Sequence, residues 1–390
     1  MDEREMRDAR SSGGSRRSGA VKAANAAKRS ATKGATKTTS KRTTKAATKA
    51  ATKKSKSSKS ANEVTAVLWP DATGGLALND RAWIIADEIE SRAAELRVAV
   101  SRLPSGARVI DAGVNVPGGL GAGIGLARLC MAGLGRISLN SLLIGDTPYA
   151  AIRVWTDHPA VACVASQYAG WAIKVGSYFA MASGPLRAQA RVETELYDKL
   201  GYFERASRGV LVLEGRKLPD DDVAKYVAEK SGIHPSAITF AIAPTASLAG
   251  SVQVVARSVE TGLHKMQAVG FDVNRVVSGI GTAPLPPVAK DDLHAIGRTN
   301  DCVLYGGEAR FTIDASDDEL EDLARKLPAS SSSDYGTPFY DIFKRYEGDF
   351  YKIDKHLFSP GEVWLTSATS GRTFHGGKLD PGVLRKSLLG

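Results

Sequence analysis

Arg257 and Glu260 lie three residues apart in the stretch IAPTASLAGSVQVVARSVETG (242–262). A carboxylate can take a proton from water and pass it on, and a neighbouring guanidinium can favour its ionised form. The same spacing also fits an exposed intrahelical salt bridge, a common and weak feature. Small residues surround the pair here (Ala243, Ala246, Ala249, Gly250, Ala256), and other charges are few, which favours a pocket wall.

The elements that would position this pair can be read from the pattern. The apolar run Ile238 to Ala243 reads as a strand ending at Pro244. Thr245 or Ser247 then offers a hydroxyl to cap a helix. Val252, Val255, Ala256 and Val259 fall on one helical face, and Gln253, Arg257, Glu260 and His264 on a second. Further polar and small segments sit at expected strand ends: TDHPA (156–160), GSYFAMASGPLRA (176–188), GIGTAP (279–284) and GRTNDCVLYGG (297–307). Each alone is a turn, but together they fit one shared cleft. Their polar members give the candidate contacts Thr245, Ser247, Thr282, Thr299, Asn300 and Asp301, each equally compatible with a turn or cap.

Other chemistries find less support. The glycines at 119, 121, 123 and 125 follow the strand ARVIDA without the G-x-G-x-x-G spacing or the later acidic residue of a dinucleotide fold. Close backbone packing, or approach of a ligand to bare backbone, explains them better than nicotinamide or flavin. There is no Walker lysine pattern, H-E-x-x-H or G-x-S-x-G, and the six histidines are scattered, so no metal site is expected. Cys130, Cys163 and Cys302 are far apart and read as buried thiols of a reducing, cytoplasmic compartment.

Charge divides the chain. Residues 1–60 carry 18 Lys or Arg against 4 Asp or Glu, while the whole chain has a net charge of +10, so the remainder is mildly acidic. Residues 1–62, rich in Lys, Ala, Thr and Ser, read as a disordered tail able to bind polyanions non-specifically. Residues 66–390 read as the folded region, with strands alternating with helices in a mixed α/β to α+β fold. A helix is expected over Leu78–Leu96, capped by Asn79 or Asp80, and a hairpin around Gly306 and Gly307. No run of about 18 apolar residues would span a membrane.

The segments TDHPAV, GSYFAMASGPLRA, APTASLAGSVQVVARSVETG, GTAPLPPVA, GRTNDCVLYGG and YGTPFYDIFKRYEGDFYKID resemble the methenyltetrahydromethanopterin cyclohydrolase family, in the family's order from about Leu78 to Leu389. The resemblance implies two related, intertwined domains with an interdomain cleft, a homotrimer, and no metal or redox cofactor. It implies reversible hydrolysis of the methenyl bridge of a tetrahydromethanopterin-type pterin, a step of formaldehyde oxidation and of methanogenesis. It places the catalytic pair at Arg257 and Glu260, with Glu260 activating water and Arg257 holding its carboxylate. Two rival readings remain: a non-catalytic pterin-binding homologue, and a nicotinamide-dependent pterin dehydrogenase.

Overall fold

The computed structural model describes residues 75–349 and 352–389. The tail expected over 1–62 lies outside the described residues. The strands are β1 (Ala99–Arg102), β2 (Arg108–Asp111), β3 (Gly135–Ile144), β4 (Thr147–Thr156), β5 (Trp171–Val175), β6 (Tyr178–Ser183), β7 (Gly209–Glu214), β8 (Ile238–Ala243), β9 (Val276–Pro284), β10 (Glu308–Ile313), β11 (Glu362–Ser367) and β12 (Thr373–Gly377). The α-helices are α1 (Leu78–Ser91), α2 (Ala93–Leu96), α3 (Leu120–Cys130), α4 (Leu186–Ala190), α5 (Thr194–Leu200), α6 (Asp221–Ser231), α7 (Leu248–Val255), α8 (Ser258–Ala268), α9 (Asp292–Leu304), α10 (Asp317–Lys326), α11 (Phe339–Arg345) and α12 (Pro381–Leu389). A π-helix runs over Ala160–Gln167.

The strands form two mixed six-stranded sheets, ordered β1-β2-β8-β7-β6-β5 and β12-β11-β10-β9-β4-β3. The chain begins in the first sheet, lays β3 and β4 in the second, returns for β5 to β8, and finishes in the second with β9 to β12. Helices and strands are interleaved throughout, as expected of a mixed α/β fold. The two sheets are closed differently, because β2 joins β8 in parallel while β4 joins β9 antiparallel.

β8 is buried at all six positions, as expected of a central strand paired in parallel on both sides. β7 leads into α6, whose Val223 and Val227 pack with Val109, Leu211 and Phe240. Helices α1, α3 and α8 and the π-helix share the largest buried cluster with Ile110 and Val212 of the first sheet and Phe311 and Leu365 of the second. The glycine-rich stretch serves this packing. A Cβ on Gly123 would lie 2.5 Å from the Val252 Cβ, so the glycine lets α3 and α7 approach closely. Gly118, at φ +57°, turns the chain against the Ala112 carbonyl.

Three local expectations are corrected. The first helix stops at Ser91, and neither Asn79 nor Asp80 caps it: Glu204 accepts from the Asn79 N–H, while the Asn79 side chain bonds Pro185 and Val210. GRTNDCVLYGG is not a strand-end loop, since most of it is the body of α9, capped where Asp291 accepts from the His294 N–H at 2.9 Å. The hairpin around Gly306 and Gly307 is therefore a helix-to-strand turn, and β10 pairs with β9 and β11 instead.

Candidate functional site

β7 leads to α6 on one face of the first sheet, whereas β8 leads to α7, whose Ala249 joins the largest cluster on the other. The chain thus parts at the carboxyl ends of two adjacent parallel strands, a geometry that opens a crevice. Glu214 ends β7, and Thr245 follows β8.

Ser247 caps α7: its Oγ accepts from the Gly250 N–H at 3.0 Å and donates to the Pro244 carbonyl at 2.7 Å. The expected continuous helix is broken at Ala256 and Arg257, between α7 and α8. The apolar face is as the pattern requires, with Val252, Val255, Ala256 and Val259 fully buried. The second face is buried as well, at Gln253, Arg257 and Glu260. An exposed salt bridge is thereby ruled out, and so is direct pairing, because no ion pair within 4.0 Å joins Arg257 to Glu260.

The break sends the two side chains to different partners. Arg257 Nη1 donates to the Gln167 carbonyl, which ends the π-helix. Its Nη2 donates to Ser183 Oγ at 3.1 Å and to Gln253 Oε1 at 2.9 Å, and lies 3.9 Å from Cys130 Sγ. Gln167 Nε2 returns a bond to the Ala256 carbonyl at 3.0 Å, so the π-helix and the helix break clamp each other. Extra-wide helical turns of this kind recur at functional sites.

Glu260 is only 6% exposed and accepts no hydrogen bond among the described residues. It stands in the first turn of α8, where the helix dipole favours an anion. Burial is the larger effect and pushes its carboxyl up to about 7, while the charges of Arg257 and Arg187 oppose the rise. A carboxyl that titrates near neutrality, without a partner to hold it, is suited to take and return a proton.

Arg187, fully buried after β6, donates to Glu193 and to the Val164 and Ser166 carbonyls. Its guanidinium lies 5.2 Å from the Tyr168 ring centroid. Tyr168 stacks on His264 at 5.1 Å, and both line a cavity of about 990 Å³ with Glu193, Lys199, Phe271 and Lys355. Glu260 does not line this cavity, although Tyr168 directly follows Gln167 and His264 follows Glu260 by one helical turn. Burial, and then the charge of Lys355, hold the His264 imidazole below its usual range.

The remaining candidates divide. Thr245 Oγ1 donates to Glu214, and Gln253 Nε2 donates to the same carboxylate at 3.4 Å, so Thr245 belongs to the Arg257 network. Thr282 lies on β9 beside Gly281, whose missing Cβ admits Ser258 at the start of α8, and its hydroxyl bonds no described residue. Thr299 and Asn300 turn back within α9 to the Ala295 and Ile296 carbonyls, both at 2.8 Å. Asp301 is fully buried and accepts from the Phe339 N–H at 2.8 Å and Ser387 Oγ at 2.5 Å, tying α9 to α11 and α12. The structure thus gathers Arg257, Glu260 and Thr245, with Thr282 near α8, and spends Ser247, Thr299, Asn300 and Asp301 on internal contacts. Sequence reasoning missed Gln167, Ser183, Arg187 and Glu214. The segment GSYFAMASGPLRA contained two of them, whereas Gln167 carried no signal apart from its position after an apolar run.

Among the described residues, no cluster of three or more His, Cys, Asp or Glu could hold a metal ion, and no helix is long and apolar enough to cross a membrane. Residues 77–388 match the family described as Cyclohydrolase (MCH). The methenyltetrahydromethanopterin cyclohydrolase of Methanococcoides burtonii is 42% identical over 313 residues, covering 80% of this chain and 98% of that protein. The enzymes of the same name from Methylobacterium organophilum and Rhodopirellula baltica are 46% and 44% identical, over 76% and 85% of this chain and 93% and 94% of their own lengths.

Proposed function

The chain belongs to the cyclohydrolase (MCH) family, and on that premise we propose that it interconverts methenyl- and formyl-tetrahydromethanopterin by reversible hydrolysis. The methenyl carbon is part of an amidinium and is already electrophilic, so the reading requires no resident metal or redox cofactor. Water adds through oxygen to that carbon, and Glu260 takes the water's proton. The C–N bond to one nitrogen then breaks as Glu260 returns that proton to the departing nitrogen. The added hydroxyl loses its own proton to solvent as its C=O forms, and a formyl group stays on the pterin-ring nitrogen, so the cationic substrate and water give a neutral product and one released proton. Arg257 acts by its charge and by fixing the neighbouring walls, not by gripping the carboxylate. The cavity walled by Tyr168 and His264 is the proposed path for the pterin.

The observation that carries this reading is Glu260 itself: a buried carboxyl without a hydrogen bond, raised to about 7 beside two arginines. The test is the ultraviolet absorbance of a methenyl-pterin after the protein is added with no cofactor. Loss of absorbance at catalytic protein concentration is expected. Turnover only with added nicotinamide would favour a dehydrogenase instead, and binding without turnover a pterin-binding homologue.

The homotrimer and the cytoplasmic location belong to the same proposal. Edge strand β3 exposes Leu139 and Leu143, and Trp155 beside it on β4 is exposed as well, an edge that another copy would cover. The three buried, unbridged cysteines suit a reducing compartment. Light scattering of the purified protein would test the trimer, and a monomer would overturn it.

A further inference from the structure

Every oxygen acceptor that Arg257 reaches among the described residues is neutral, namely the Gln167 carbonyl, Ser183 Oγ and Gln253 Oε1, and its remaining contact, at 3.9 Å, is the Cys130 Sγ. The carboxylate on that side, Glu214, stands one residue further out, with Gln253 between it and the guanidinium. An amide accepts only through oxygen and donates only through nitrogen. The guanidinium on one side and the carboxylate on the other therefore both fix the orientation of Gln253, which is 3% exposed. Glu214 is braced in turn by Thr245, which is 2% exposed.

We propose that Gln253, anchored on Glu214 and Thr245, is a positioning residue that holds Arg257 through a neutral acceptor and so leaves the guanidinium charge to act on Glu260. This rests on the reading of Glu260 as the general base.

The choice of an amide follows from the electrostatics. A carboxylate at position 253 would form a contact ion pair with Arg257 and cancel most of its field at Glu260. An apolar side chain would leave the field but release the guanidinium from its third acceptor. The groups around Glu260 make its titration sensitive to this difference. Arg257 and Arg187 are the cations acting on it, and the Cys163 thiol of the π-helix lies within its influence. From the second sheet, β9 and β10 present Gly279, Gly281 and Phe311 to α8, none of them charged. Lys355, from the short 3-10 turn Lys355–Leu357 packed on α8, acts on His264.

Two variants of the full chain separate charge from position. In Gln253→Glu the acidic limb of the rate profile moves to higher pH by roughly one unit, the scale of one nearby charge. In Gln253→Met the limb stays in place and kcat falls at least ~10-fold with KM little changed, because the field survives and the geometry does not. Circular dichroism confirms that each variant is folded. A Gln253→Glu profile that superimposes on the wild type, or a Gln253→Met kcat equal to the wild type, would overturn the proposal. The Glu260 carboxyl can also be titrated directly by ¹³C NMR, assigned by its loss in Glu260→Gln. If the wild type fails to consume methenyl-pterin, the functional reading falls, while an unshifted ¹³C titration in Gln253→Glu still decides against the relay.

Discussion

Replacing Glu260 with Gln changes rate and stability in opposite directions, and both changes follow from one buried carboxyl. The side chain is nearly isosteric, and Glu260 accepts no hydrogen bond that the amide would break. Catalysis loses its base, which costs roughly 10²–10⁴ in rate. Stability moves the other way. Burial raises the carboxyl from 4.5 to about 7, so the folded state binds this proton more tightly than the unfolded state does. Folding is then favoured by protonation, and the wild type loses stability as pH rises between about 4.5 and 7. A rise of this size corresponds to ~3 kcal/mol above pH 7 and to nothing below pH 4.5. The assay is urea unfolding of wild type and variant at pH 4.5, 6 and 8, alongside turnover of methenyl-pterin. The variant should equal the wild type at pH 4.5 and exceed it by up to ~3 kcal/mol at pH 8. Equal stabilities at pH 8 would refute the burial argument, and normal turnover would refute the catalytic one. Asp301 and Glu204 are raised to about 7 by burial as well, but they are common to both proteins and cancel in the difference.

Other substitutions probe the surrounding contacts. Arg257→Lys keeps the charge but loses the fork that spans Gln167, Ser183 and Gln253, and should lower kcat roughly 10²-fold in steady-state assays. Asp301→Ala strands the buried Phe339 N–H and should cost ~1–3 kcal/mol in urea unfolding, with turnover per folded molecule unchanged. Gly123→Ala drives a methyl into Val252 and should cost ~1–3 kcal/mol, read from the same midpoint.

Much of the fold was legible because its signals are local. The buried run of β8, the acidic N-terminus of α6 and the alternation of strands with helices all appear in the sequence order. α9 was illegible over GRTNDCVLYGG, since glycine, threonine and asparagine are poor helix formers, and only Asp291 announced its start. The site was half legible. Arg257 and Glu260 carried their own chemistry, but Gln167 reaches Arg257 across 90 residues, and no local pattern encodes such a contact. Thr299, Asn300 and Asp301 looked like ligand contacts because they are polar. Their bonds within α9 and to α11 and α12 depend on where those helices dock.

The break between α7 and α8 is the feature that periodicity could not supply, and the chemistry depends on it. On one unbroken helix, Arg257 and Glu260 would lie close enough to pair. A paired carboxylate is held well below neutrality and is a poor base at physiological pH. The turn at Ala256 and Arg257 instead directs the guanidinium into neutral acceptors and leaves the carboxyl alone at the start of a new helix. Burial then raises it, while the charge of Arg257 limits the rise to about 7. The arginine therefore serves better at a distance than in contact: close enough to keep the carboxylate accessible at neutral pH, and far enough to leave its lone pairs for water.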